Sequence, residues 1–78
     1  MTIDPRIIQV AALHLTERQH YVWLHSVEYR MSQRAIAYQL DLSRTTITDT
    51  LDAAWRTLRK HGILVTPDGR PYLEKEPA

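Results

Sequence analysis

The sequence predicts a mainly α-helical domain of four helices that contains a helix-turn-helix, closed by a small C-terminal β-hairpin. Three observations carry that prediction. Residues suited to capping a helix stand at Asp4, Thr16, Ser32 and Ser43, each ahead of a stretch with helical apolar spacing. The longest of these stretches offers Ile47, Leu51, Ala54 and Leu58 at steps of 4, 3 and 4, one stripe of a helix. Near the C-terminus, Pro67-Asp68-Gly69 separates two short apolar runs and has the chemistry of a type I turn followed by a left-handed residue.

The first helix is expected at about 4–14. Asp4 caps it, Pro5 suits its first position, and Ile3 with Ile8 forms a hydrophobic staple. Ile7, Ile8, Val10, Ala11, Ala12 and Leu13 leave only Arg6 and Gln9 as polar surface, so this helix must be covered. Packing on the core is favoured, with a dimer contact as the alternative. The second helix, about 17–29, opens with a capping box between Thr16 and Gln19. Val22, Trp23 and Val27 should face the following pair of helices, while Tyr21 and Leu24 meet the first helix.

The third helix, about 33–40, is barely two turns and cannot stand alone. Ser32 caps it, with Met31 and Ile36 as its staple; Ser43 caps the fourth, with Leu42 and Ile47. Ile36, Ala37 and Leu40 need the apolar stripe of the fourth helix, about 44–61. Two such helices across a short turn make a helix-turn-helix. Arg59, Lys60 and His61 suit the negative end of the fourth helix, and Gly62 suits the position after it, with Ile63 folded back on Leu58. The hairpin is expected at about 63–73, with Pro71 on an edge because it cannot donate a ladder hydrogen bond. Such a hairpin must lean on the helices. Glu74 to Ala78 reads as a loose tail.

The run SxxxIAxxLxLSxxTIxxxLxxAxxxL from Ser32 to Leu58 resembles the −35-reading domain of sigma factors and the DNA-binding domain of LuxR-type regulators. LTERQ at Leu15 to Gln19 resembles the opening of the helix before that motif, and its distance from Ser32 fits the sigma pattern. The likeness spans about residues 13–58 and implies a DNA-binding helix-turn-helix. Two departures concern turns. Arg30-Met31 stands where the family has glycine, so either Arg30 takes the left-handed conformation at some cost or the turn differs. Asp41 also replaces a preferred glycine, but Asp tolerates positive φ. Past Gly62 the pattern is left behind: LuxR-type domains continue into a dimerisation helix, whereas this hairpin resembles the wing of winged-helix regulators.

The face of the fourth helix opposite its apolar stripe carries Thr45, Thr48, Asp49, Asp52 and Arg56, as a major-groove reader would. Base reading is assigned to Arg44, Thr45, Thr48 and Asp49: Arg grips guanine, threonine methyls suit thymine, and Asp accepts from cytosine. Phosphate contacts are assigned to Arg34, Ser43, Thr46, Arg56 and Arg59. Arg70 on the hairpin reaches a phosphate or the minor groove, unless the hairpin is only a flap over the core. Asp49 and Asp52 repel phosphates, so they either make binding selective or mean that this face does not meet DNA. With few charge contacts, the log–log salt slope is expected at about −3 to −5.

Seventy-eight residues, 44% of them apolar, allow one domain with a modest core. The net charge is +1, and its distribution is uneven. Residues 1–31 hold three basic and three acidic side chains, 32–61 five and three, and 62–78 two and three, so the surplus lies on the helix-turn-helix. There is no cysteine, no apolar run of membrane-spanning length and no signal-peptide core, which suits the cytoplasm of a bacterium or of a phage-infected host. Met1 favours a whole protein over a fragment. His14, His20 and His25 are spaced by six and five and do not share a helical face as metal ligands. No phosphate-binding glycine loop, nucleophile elbow or HExxH is present, and neither an enzyme nor a cofactor is expected. The expectation is a sequence-specific regulator of transcription that binds double-stranded DNA as a homodimer on a two-fold site. The alternative is a protein-interaction module of sigma-like fold that contacts RNA polymerase or another regulator without reading DNA.

Overall fold

Among residues 3–74, which the computed structural model describes, four helices and a two-stranded hairpin follow in order: α1 (Pro5–His14), α2 (Glu17–Val27), α3 (Gln33–Leu40), α4 (Arg44–Lys60), β1 (Ile63–Val65) and β2 (Pro71–Leu73). The fold is mainly helical, with an antiparallel C-terminal hairpin. The tail expected from Glu74 is tied down at its first residue, whose N–H donates to the Gly62 carbonyl at 2.8 Å, and the rest of it lies outside the described residues.

Each helix begins where a side-chain oxygen replaces the missing backbone partner. Asp4 accepts from the Arg6 amide, Ser32 from Ala35 and Ser43 from Thr46, at 2.9, 3.1 and 3.1 Å. At α2 the capping box closes both ways: Gln19 N–H donates to Thr16 Oγ1, and Thr16 N–H to Gln19 Oε1. The staple residues Ile3, Ile36 and Ile47 are buried, and Ile8, Met31 and Leu42 pack partly against the same core.

α1 ends on an extended Leu15, whereas left-handed residues follow α2, α3 and α4. Asp41, at φ 57°, ends α3, and the Leu42 and Asp41 amides reach back to the Ala37 and Tyr38 carbonyls, a Schellman arrangement without glycine. Arg30 takes the left-handed conformation at φ 56°, the costlier of the two alternatives for a long side chain. Regular α2 stops at Val27, two residues short of the expected end, because the chain turns through Glu28–Arg30 and Met31 N–H donates to the His25 carbonyl. Gly62, at φ 82°, follows α4, and its amide donates to the Arg59 carbonyl.

The core is a single cluster. Ala11, Val22, Trp23, Ile36, Ile47, Ala54 and Leu58 are wholly buried, and Ile7, Leu51 and Ile63 nearly so. Full burial of each aliphatic side chain is worth about 1.5–3 kcal/mol, which is what holds the two-turn α3 in place. α4 is the hub: it packs on α1, α2, α3 and β1. Only one side of α1 is covered, since Ile7 and Ala11 are buried while Ala12 and Leu13 are exposed. Tyr21 was expected towards α1, and its hydroxyl reaches α3. α1 crosses towards α4 and β2, and Tyr21 Oη donates to Gln39 Oε1 of α3.

The strands pair Ile63 with Leu73, Leu64 with Tyr72 and Val65 with Pro71. Beyond them Thr66 N–H donates to the Arg70 carbonyl, and Gly69, at φ 91°, closes the three-residue turn. Thr66 Oγ1 donates to Asp68 and accepts from the Arg70 amide, so the turn is braced by its own side chains.

Candidate nucleic-acid interface

The buried stripe of α4 fixes what the helix can show to solvent. With Ile47, Leu51, Ala54 and Leu58 inside, Thr45, Asp49, Asp52 and Arg56 fall on the far side at steps of 4, 3 and 4, and all four are exposed. The face assigned to DNA is therefore neither folded into the interior nor covered by the hairpin. At about 1.5 Å per residue, Arg56 lies about 18 Å along the axis from Arg44.

The other assigned residues divide into two groups. Arg44 joins Arg34, Ser32 and Gln33 around a concavity between the start of α3 and the start of α4. Both arginines are exposed, and neither makes an ion pair among the described residues. Thr48 sits on this side too and is half-buried, its hydroxyl donated to Gln33 Oε1 at 2.7 Å. That bond holds the Thr48 rotamer and engages the Gln33 carbonyl oxygen, leaving the amide N–H groups as that side chain's remaining hydrogen-bonding capacity. Ser43 and Thr46 are occupied with each other: their hydroxyls are 2.9 Å apart, and Ser43 also caps α4. Their hydroxyls can contact a phosphate only while keeping these bonds.

Arg56 and Arg59 form the second group, at the far end of α4, where they line a groove with Trp55 and the hairpin. Arg70 stands on the hairpin 3.5 Å from Asp68, so its charge is partly compensated. The Asp68 carboxyl is held below its ordinary value chiefly by the Thr66 hydroxyl, with Arg70 and Arg30 adding attraction. Asp4, at the start of α1, is lowered in the same way by the Arg6 side chain and amide.

Two residues escaped the sequence reading. Gln33 was masked by its ordinary place in the first turn of α3. Tyr38, 89% exposed, stands one turn after Arg34 on the outer face of α3. The signal for Tyr38 was legible: an aromatic four residues from a base, on a helix whose other face was accounted for.

The histidines make ring contacts. His14 is exposed and stacks on His61 with ring centroids 3.6 Å apart, and His25 stacks on Tyr21 and meets Tyr29 edge-on. Among the described residues no group of three His, Cys, Asp or Glu could hold a metal ion, and no helix is long and apolar enough to cross a membrane.

Comparison with protein-family models, with curated proteins and with solved structures gives no match to this chain.

Proposed function

We propose that this protein is a sequence-specific regulator of transcription that binds double-stranded DNA with α4 in the major groove, as a homodimer on a two-fold site. The observation that carries this reading is the exposed polar stripe Thr45–Asp49–Asp52–Arg56 on a helix held rigidly through its opposite side, with Arg34 and Arg44 beside its first turn making no ion pair among the described residues. Arg44, Thr45 and Asp49 read base edges, and the Thr48 methyl lies against them with its hydroxyl held by Gln33. Arg34 grips one phosphate strand, and Arg56 reaches the other across a groove about 12 Å wide. Ser43 and Thr46 add neutral contacts near the start of α4, where free N–H groups favour an anion.

The central carboxylates Asp49 and Asp52 favour a second reading, in which the same face binds a basic surface of RNA polymerase or of another regulator. Selection of bound duplexes from a random library separates the two. The DNA reading expects an enriched sequence with two-fold symmetry, and at least tenfold weaker binding by Arg44→Ala with the fold intact. Absence of any binding at about 50 mM salt by a folded protein would leave only the second reading.

A further inference from the structure

A second concave surface lies where the C-terminal half of α4 meets the hairpin. Trp55, Arg56 and Arg59 face Leu64, Val65 and Tyr72 across a groove of about 360 Å³. The size is at the lower end of the roughly 300–1,000 Å³ typical of sites that enclose small groups. Its floor and one wall are apolar. Trp55 and Leu64 are half-buried, and Val65 and Tyr72, 44% and 42% exposed, are two of the large apolar side chains left in solvent. Leu64 and Tyr72 are paired across the strands, so they stand on one face of the hairpin as neighbours.

The rim is cationic. Arg56 and Arg59 make no ion pair and no side-chain hydrogen bond among the described residues. Among the described residues no carboxylate lines the groove. An apolar floor under two unpaired guanidiniums is the pattern of a protein-docking site, in which arginine and aromatic side chains supply most of the energy. Duplex DNA fits it poorly. Arg59 lies about 22 Å along α4 from Arg44, nearly twice the width of a major groove, and a phosphate strand would leave Trp55, Val65 and Tyr72 uncovered.

We propose that this groove docks a short segment of a partner protein in which acidic side chains flank one or two large apolar residues. The apolar residues fill the space between Trp55 and Tyr72, and the carboxylates pair with Arg56 and Arg59. Docking here does not depend on the DNA reading of α4, although the two share Arg56, so a docked segment and a phosphate strand would compete for that side chain.

The test is nuclear magnetic resonance titration of the isotope-labelled 78-residue chain with three peptides: Glu-Asp-Leu-Leu-Asp-Glu, its lysine counterpart Lys-Lys-Leu-Leu-Lys-Lys, and the apolar-free Glu-Asp-Ser-Ser-Asp-Glu. The first should shift the Trp55 indole N–H and the Leu64, Val65 and Tyr72 signals, with a Kd on the order of 0.1–1 mM. Arg59→Glu should weaken it at least tenfold and Tyr72→Ser at least fivefold, both with unchanged dispersion of the remaining signals. Arg59→Gln guards against a helix-end effect and should weaken it about threefold or more. Equal binding by the lysine or serine peptide would overturn the proposal, as would no shift at about 5 mM peptide. Shifts of the same signals on raising protein concentration alone would replace the partner by a second copy, and the same footprint from duplex DNA without one from the peptide would replace it by nucleic acid.

Discussion

If α4 lies in a major groove, its salt dependence follows from where the arginines stand. Five arginines were assigned to phosphates or bases: Arg34, Arg44, Arg56, Arg59 and Arg70. Three of them are placed elsewhere, Arg44 on a base, Arg59 towards the hairpin groove and Arg70 towards Asp68. Arg34 and Arg56 remain for phosphates, and at about 0.9 counterions released per phosphate neutralised they give a slope near −1.8, or near −2.7 if Arg59 also reaches a strand. A fourfold rise in salt, from about 50 to 200 mM, should then weaken binding about 12-fold to 40-fold. Arg34→Ala and Arg56→Ala should each flatten the slope by about 0.9, so that the same rise costs about 3.5 times less. Arg44→Ala should weaken binding at every salt concentration with little change of slope. Arg18→Ala, exposed at the start of α2, should leave both unchanged. Fluorescence anisotropy with a selected duplex at five salt concentrations reads all five slopes. A slope steeper than about −5, or one that Arg34→Ala and Arg56→Ala leave unaltered, would show that DNA lies on another surface.

Two further expectations concern the frame that presents this face. Arg30 holds φ 56° on a side chain whose attraction to the exposed Asp68 is weak, so Arg30→Gly should stabilise the protein by about 0.5–1 kcal/mol, the relief of left-handed strain less the extra freedom of glycine when unfolded. Urea denaturation reads this, and an unchanged or lower midpoint would place the cost of that turn elsewhere. The lowered carboxyls of Asp4 and Asp68 stabilise the folded state fully above their ordinary value of 3.8, and that contribution fades as pH falls below it. The acid limb of stability against pH should therefore be shallower in Asp4→Asn and Asp68→Asn, and an unaltered limb in both would refute the assignment.

What the sequence determined by itself was local. Asp4, Thr16, Ser32 and Ser43 announce helix starts because a capping oxygen and its amide are two or three residues apart. The buried stripe of α4 and the Pro67-Asp68-Gly69 turn are equally short in range, one set by helical period and the other by backbone preference. The direction of the polar face followed from that stripe. What only the tertiary structure decided was which side chains from different elements share a surface. Gln33 meets Thr48 because α3 folds back on α4; Tyr21 turns to Gln39 because α1 crosses elsewhere; Trp55 and Arg59 face Tyr72 because the hairpin leans along the end of α4. Such contacts depend on the angles at which helices pack. Those angles are set by the fit of the whole core, and no window of the sequence carries them.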